Sequence, residues 1–324
     1  MRYITSDDFI ESYSKLYQRG FRFILSKLNI SSRARTISTF TPSEMQASNY
    51  WIIPQVKKRW NNLISGNPEL SYEYYIYNEY LKGRKQLKML SAGSGISSHE
   101  MIFASFNCMG KVECLDLSAP MLKKAADFAR EKDLNHKMEF RVEDINRTNL
   151  PEKSYDIILF NSSLHHFRNI DVLLDKIKKS LTPEGILIIN EYTGPARLQF
   201  RKEQILVSNH ILKNYIPKKY RKRLATNILK KQISGPGYLR MLITDPSEAV
   251  ESDKILPEIH KRFKTFEEKA IGGDILMPVL KDIAHNFLNN DPKTREILED
   301  LFNLEDRFIE EHGSDFIFGV YGVD

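Results

Sequence analysis

The stretch LKMLSAGSGISSHE, residues 87–100, carries the pattern that decides the fold. Its first part, residues 87–92, is mostly apolar and predicts a short buried β-strand. The two glycines that follow predict a tight turn, and a helix is expected to begin at Ser97 or Ser98. Such a turn lets a nucleotide approach the backbone closely, and the start of the helix offers it unpaired N–H groups.

From residue 87 onward, segments with strand character alternate with amphipathic helical segments. This alternation indicates an α/β fold with a parallel sheet that is covered by helices on both faces. We predict strands at LKMLSA, KVECLDL, MEFRVE, YDIILF and GILIINEY, and later in the chain at RFKTFEEKAI and DFIFGVYGV. We predict helices at PMLKKAADFAREK and DVLLDKIKKSL, among others.

The same patterns divide the chain into four parts. We expect a helical N-terminal extension at residues 1–86, the core at 87–194, a helical, basic insertion or lid at 195–256, and the C-terminal part of the core at 257–324. The insertion carries eight lysines and arginines between positions 213 and 231, more than the net charge of +6 of the whole chain. Such a segment either meets an anionic partner or is a solvated helical face.

Asp116 lies at the end of the second predicted strand, 23 residues after Gly93. A carboxylate at this separation from a glycine turn can accept hydrogen bonds from ribose hydroxyls. Alternatively, it caps the helix that follows Ser118. We favour the ribose role, because the glycine turn, the strand spacing and the carboxylate agree. A dinucleotide-binding enzyme would need a third glycine at the position of Ser98, which weakens that interpretation.

Five segments in order carry a resemblance to a known family: SAGSGISSHE, CLDLSAPML, FRVEDI, YDIILFNSSLHHF and LTPEGILIINEY. Over residues 87–192 the chain resembles the class I, Rossmann-like methyltransferases that depend on S-adenosylmethionine. The resemblance implies a seven-stranded, mostly parallel sheet with an antiparallel last strand, to which the helical extension and the insertion are added. EYTGPARLQF and DPSEAVESDKILP are similar to a bacterial subgroup of these enzymes.

The resemblance also implies roles for individual residues. Gly93 and Gly95 would line the methionine part of S-adenosylmethionine, which becomes S-adenosylhomocysteine on transfer. Asp116 would hold the ribose, residues 144–145 the adenine, and residues 161–162 would lie beside the sulfonium. The full set expected at the cofactor is Ser91, Gly93, Ser94, Gly95, Glu100, Asp116, Leu117, Met121, Asp144, Ile145, Asn161 and Ser162.

Two positions depart from the family pattern. The residue two positions before the first glycine is usually acidic and is Ser91 here. The usual third glycine of the loop is Ser97. Ser91 leaves open how the ammonium of the cofactor is held, and Glu100 could substitute for the missing carboxylate.

Candidates for the chemistry follow the fourth and fifth predicted strands: His165, His166 and Glu191. A hydroxyl acceptor loses its proton as it attacks the methyl group, and histidine suits this task because its pKa is near neutral. Because two adjacent histidines on a turn or short helix cannot both point the same way, we expect His165 to face the site, with His166 as second choice. Either could instead only bond the backbone. Neither has further ligands at metal-binding spacing, so no metal site is expected.

Tyr192 and Arg197 are the candidates for substrate contact, although Arg197 could equally be a surface arginine.

The sequence lacks motifs that would indicate two other classes of methyl acceptor. NSSL at residues 161–164 lacks the Asn/Asp-Pro-Pro-aromatic turn typical of methyltransferases that act on base amines. Neither Cys108 nor Cys114 lies at a strand end suited to cytosine C5 chemistry.

We therefore favour O-methylation of a hydroxyl on a small molecule, sugar or glycan, which could be anionic. The alternatives are a nucleic-acid methyltransferase or binder that uses the basic segment, and a non-catalytic protein that binds the cofactor.

Two cysteines form no disulfide framework, no apolar run spans a bilayer, and the start MRYITSDDFIESY lacks the apolar stretch of a signal peptide. We expect a cytoplasmic protein.

Overall fold

The computed structural model describes residues 1–13, 48–224, 226 and 228–323. These described residues form a seven-stranded sheet in the order β3-β2-β1-β4-β5-β7-β6. Strands β1 to β5 are parallel to one another, and β7 runs antiparallel between β5 and β6. The predicted α/β sheet with an antiparallel last strand is confirmed. The strands are β1 (Leu87–Ala92), β2 (Met109–Asp116), β3 (Met138–Val142), β4 (Tyr155–Asn161), β5 (Leu181–Tyr192), β6 (Lys264–Ala270) and β7 (Phe316–Gly322).

Helices flank the sheet and fill the insertion. Residues 6–13 are helical, and residues 14–47 of the predicted N-terminal extension lie outside the described residues. No helix in the described part of the chain combines the length and the apolar character that crossing a bilayer requires. The further helices are α1 (Pro54–Ser65), α2 (Tyr72–Ile76), α3 (Ser98–Ser105), α4 (Ala119–Glu131), α5 (Ile170–Ser180), α6 (Lys202–Asn214), α7 (Tyr238–Thr244), α8 (Ile255–His260), α9 (Leu276–Leu280) and α10 (Pro292–His312). Short turns are π-helical at Tyr77–Leu81 and 3₁₀ at Tyr50–Ile52, Leu164–His166, Ala196–Leu198, Lys218–Tyr220, Ser252–Lys254 and Ala284–Phe287.

The strands send alternate side chains into two hydrophobic clusters, one on each face of the sheet. On β1, Met89 packs with Phe103 of α3, whereas Leu90 packs with Leu174 of α5. Successive side chains of a strand point to opposite faces, so a strand buried on both faces must be apolar throughout. The short apolar strands of the sequence follow from this burial. Their parallel direction brings the loops after β1, β2, β3 and β4 to one edge.

A third hydrophobic cluster joins parts of the chain that are far apart in sequence. It combines Tyr50, Ile211 of α6, Val279 of α9 and Leu298 of α10. Helices α9 and α10, which lie in the predicted C-terminal part of the core, therefore pack with the insertion. Strands β6 and β7 on either side of these helices complete the sheet.

The basic segment, residues 213–231, differs from a solvated helical face. Helix α6 ends at the second residue of the segment. The ammonium of Lys230 is buried and donates hydrogen bonds to three backbone carbonyls of residues 278–281. Burial lowers the pKa of Lys230 to about 7. Arg223 is buried as well and pairs with Asp282. Part of the charge of the segment thus serves internal packing.

Candidate active site

A cavity of about 310 Å³ opens at the carboxyl ends of β1, β2 and β4. This is the edge at which parallel α/β sheets bind ligands. The residues predicted from the sequence that line it are Gly93, Gly95, Asp116, Leu117, Met121, Asp144, Ile145, Ser162 and His166. Sequence reasoning missed other lining residues, among them Glu143, Asn146, Arg147, Phe167, Arg168, Pro246 and Ser247. The last two belong to the DPSE motif, whose resemblance to a subgroup was the one signal available for them.

The turn after β1 permits close approach of a ligand because it lacks side chains. Gly93 has a φ of +73°, and a Cβ at this position would lie 2.6 Å from the Cβ of Ser163. Gly95 has a φ of +55°, and a Cβ there would touch Met121 at 3.5 Å. Both positions therefore require glycine, one because of its neighbour and both because of the left-handed backbone.

The carboxylate of Asp116 connects the glycine turn to the loop after β2. Its Oδ2 accepts a hydrogen bond from the N–H of Gly95 at 2.9 Å, and its Oδ1 accepts one from the N–H of Ser118 at 2.7 Å. A carboxylate has about four acceptor sites, so two remain after these bonds for a pair of ribose hydroxyls. The position on the cavity wall and this remaining capacity fit a bound nucleoside.

The structure shows the surroundings of Ser91 and the backbone conformation of Ser97, the two residues that depart from the family pattern. The hydroxyl of Ser91 donates to Oε1 of Glu100 at 2.6 Å, and both side chains are buried. A carboxylate of α3 therefore stands beside the position that is usually acidic, and burial raises the pKa of Glu100. Ser97 has a φ of +55°, the left-handed conformation that favours glycine. Neither Ser91 nor Glu100 is a lining residue of the cavity, and the same holds for the predicted Ser94 and Asn161.

The two histidines lie side by side, but only one of them lines the cavity. Their ring centroids are 4.2 Å apart on the 3₁₀ turn after β4. His165 is buried, and its Nδ1 lies 2.6 Å from Oε2 of Glu191. His166 lines the cavity. The sequence favoured His165 as the histidine that faces the site, whereas the structure places His166 there.

The environment shifts the pKa values of the two histidines in opposite directions. Burial opposes protonation of His165, but the charge and hydrogen bond of Glu191 outweigh it and raise the pKa. Burial and the neighbouring His165 together lower the pKa of His166. The imidazole of His166 is therefore unprotonated at neutral pH, the form that can accept a proton or bind a metal ion.

Glu191 shapes the turn that carries the histidines. Its Oε1 accepts hydrogen bonds from the N–H groups of Ser163 and Leu164, at 2.6 and 2.7 Å. With His165 on its other oxygen, this buried carboxylate holds three consecutive residues in place. Glu191 does not line the cavity. It lies behind the cavity wall and positions the turn that carries the histidines.

Arg197 holds one wall of the cavity, formed by the insertion loop at residues 245–250. Its guanidinium donates to two carbonyls of residues 246–248, at 2.9 and 3.2 Å, and its N–H donates to the carbonyl of Ala249 at 2.6 Å. Arg197 is only 7% exposed and is therefore no surface arginine. The hydroxyl of Tyr192 donates to a nearby backbone carbonyl at 3.0 Å. Neither predicted substrate residue lines the cavity.

Known proteins are similar to this chain mainly over the region that contains the site. A family model described as a methyltransferase domain matches residues 90–189. Tenellin synthetase of Beauveria bassiana (strain ARSEF 2860) is 31% identical over 120 residues, which make up 36% of this chain and 3% of that protein. Malonyl-[acyl-carrier protein] O-methyltransferase 2 of Ilyobacter polytropus is 26% identical over 113 residues, 35% of this chain and 41% of that protein. The match thus spans less than half of either relative.

The chain is also similar to solved structures. Phosphoethanolamine N-methyltransferase 2 of Haemonchus contortus, in complex with S-adenosyl-L-methionine, has a TM-score of 0.48 at 14% identity, over 87% of this chain and 61% of that chain. The matched family model, the strand order and the glycine turn with its carboxylate agree. Residues 90–189 therefore match a methyltransferase domain.

Proposed function

We propose that this protein transfers a methyl group from S-adenosylmethionine to a hydroxyl of a small molecule, sugar or glycan. The observation that carries the proposal is the carboxylate of Asp116, which bridges Gly95 and Ser118 on the cavity wall. When bound, the cofactor supplies an electrophilic methyl group on its sulfonium. Gly93 and Gly95 would lie against its methionine part, Asp116 would bind its ribose, and Ile145 would pack on its adenine.

His166 is the residue that we propose to promote loss of the proton from the acceptor hydroxyl. It lines the same cavity as the glycine turn, and its lowered pKa leaves it unprotonated. His165 and Glu191 would act through position, because their hydrogen bond fixes the turn on which His166 lies. Holding reactants in line can supply on the order of 7–11 kcal/mol in favourable reactions.

The acceptor is proposed from two further observations. One relative is named as an O-methyltransferase, malonyl-[acyl-carrier protein] O-methyltransferase 2. Arg168 lines the cavity and would contact an acceptor that bears negative charge, whereas Arg147 on the same wall pairs with Asp144. A nucleic-acid substrate has less support, because Arg223 and Lys230 of the basic segment are buried in internal contacts.

Titration calorimetry of S-adenosylmethionine and S-adenosylhomocysteine tests the cofactor site. We expect micromolar binding to the wild type and a loss of about 2 kcal/mol, roughly 30-fold, in Asp116→Ala, because charge-assisted hydrogen bonds disappear. Asp127→Ala on the exposed side of α4 is the matched control and should bind like the wild type. A wild-type protein that binds neither ligand would refute the proposal. Product formation from hydroxylated acceptors then separates an enzyme from a non-catalytic binder.

A further inference from the structure

A cluster of two imidazoles and a carboxylate lies at the edge of the proposed cofactor cavity. His165 and His166 come from the turn after β4, and Glu248 comes from the insertion loop. One potential ligand atom from each of the three residues lies within 4.8 Å of the others. The loop is attached to the histidine turn directly, since the N–H of Val250 donates to the carbonyl of His165 at 3.1 Å.

The spacing within the cluster suits an ion between the side chains. Nε2 of His165 lies 3.7 Å from Oε1 of Glu248, which is too long for a hydrogen bond. Ligands that bind one zinc ion at about 2.1 Å lie roughly 3.4 Å apart in tetrahedral geometry. The distance of 3.7 Å between Nε2 of His165 and Oε1 of Glu248 is close to this value.

Groups behind the cluster hold both imidazoles as metal sites require. Metal-binding histidines almost always have an oxygen partner on their second nitrogen, which fixes the orientation of the ring. Glu191 provides this partner for Nδ1 of His165 at 2.6 Å, and it is itself 1% exposed. The hydroxyl of Ser247 lies 3.3 Å from Nδ1 of His166 and donates to Asp245 at 2.7 Å.

We propose that His165, His166 and Glu248 bind one divalent transition-metal ion. Two imidazoles and one carboxylate suit zinc or another late first-row ion, whereas magnesium and calcium prefer oxygen ligands alone. His166 lines the cavity, so an open position of the ion would face the acceptor. The sequence could not indicate this site, because Glu248 follows His166 by 82 residues.

The use of the ion in catalysis rests on the proposed function, whereas its binding does not. Zinc can lower the pKa of a bound water to about 7, and it would lower the pKa of a bound acceptor hydroxyl in the same way. The acceptor hydroxyl would coordinate the ion and release its proton to solvent. Its oxygen would then form a bond to the methyl carbon while the carbon–sulfur bond of the sulfonium breaks and S-adenosylhomocysteine leaves. His166 would thus promote proton loss as a ligand of the ion.

Metal titration of the full chain tests the site without any substrate. Chelator-treated protein is titrated with Zn²⁺ by calorimetry and with Co²⁺ by visible absorption, which reports the coordination geometry. We expect one tightly bound ion per chain and a loss of affinity of at least about 100-fold in Glu248→Gln and His166→Ala. Glu191→Gln should weaken binding by about 10–100-fold, as is typical when the partner of a ligand is removed.

His260→Ala is the matched control, because His260 pairs with Glu268 on the surface, away from the cavity. It should bind Zn²⁺ like the wild type, and circular dichroism checks that every variant is folded. A wild type that binds no ion would overturn the inference and leave the cluster as a network of ion pairs. Stoichiometric binding unaffected by Glu248→Gln would overturn it as well. Binding of S-adenosylhomocysteine is measured in parallel, so that failure of the metal site and failure of the cofactor site are distinguished.

Discussion

Ser97 is one of the two residues at which this chain departs from the methyltransferase pattern, and its backbone is in the left-handed conformation. It precedes α3 in the turn that follows the two glycines, with a φ of +55°. The left-handed conformation costs an L-residue roughly 1–2 kcal/mol, and glycine adopts it freely. The usual glycine of the family is thus explained by the backbone of this turn, and serine occupies the position under strain.

Ser97→Gly is expected to stabilise the protein. Relief of the backbone strain exceeds the additional freedom that glycine gives the unfolded chain, so the free energy of unfolding should rise by about 0.5–1 kcal/mol. Urea unfolding measures the change. Ser98→Gly is the matched control, because the exposed Ser98 is helical and glycine should destabilise the protein there. Equal effects of both substitutions would contradict the strain at residue 97.

Among the elements, the insertion loop at residues 245–250 is held in part by a buried arginine. Arg197 donates to carbonyls of this loop through its guanidinium and its backbone N–H. The loop carries Pro246 and Ser247 on the cavity wall. A buried carbonyl without a partner costs about 1–3 kcal/mol, so the arginine holds the wall in place.

Arg197→Ala is expected to loosen the loop while the sheet stays folded. Amide hydrogen exchange of residues 247–250 should become faster by a factor of about 10 or more, because two carbonyl partners are lost. The exchange of β4 and β5 should stay unchanged. Arg130→Ala, on the exposed side of α4, serves as the control. Unchanged protection of the loop in Arg197→Ala would show that other contacts hold it.

At the scale of the whole molecule, a half-buried arginine and two buried carboxylates join the insertion to the C-terminal part of the sheet. Arg201, just before α6, lies 3.3 Å from Asp315 and 3.7 Å from Asp274. Asp274 also accepts the N–H of Asp315 at 2.7 Å. Burial, and then the charge of Asp315, raise the pKa of Asp274 to about 6. The junction therefore contains a carboxylate that folding makes harder to ionise.

This junction predicts a pH dependence of stability. Between the unfolded pKa of about 4 and the folded value of about 6, the folded state binds more protons, so the contribution of Asp274 falls as the pH rises through this window. Asp274→Asn should remove up to about 3 kcal/mol of pH dependence, measured by urea unfolding at about pH 4 and about pH 7. Asp300→Asn, exposed on α10, should leave it unchanged. A wild type and Asp274→Asn with parallel pH profiles would contradict the shift.

The sequence by itself determined the sheet and the cofactor side of the site. Strand and helix periodicity is local, and a strand buried on both faces must be apolar, so strands such as β1 were predicted at their observed bounds. The glycine turn and Asp116 were predicted together because parallel strands bring their carboxyl ends to one edge. Their spacing along the chain is then enough to place both on the cavity.

Only the tertiary structure decided the roles of the remaining residues. Which histidine faces the cavity depends on Glu191, which holds His165 behind the wall. Arg197 holds the insertion loop and Lys230 is a buried donor, because each donates hydrogen bonds to carbonyls about 50 residues away. Glu248 also lies beside the histidines although it is far from them in sequence. Such pairings are set by the packing of whole elements, and no local pattern in the chain encodes which distant groups will meet.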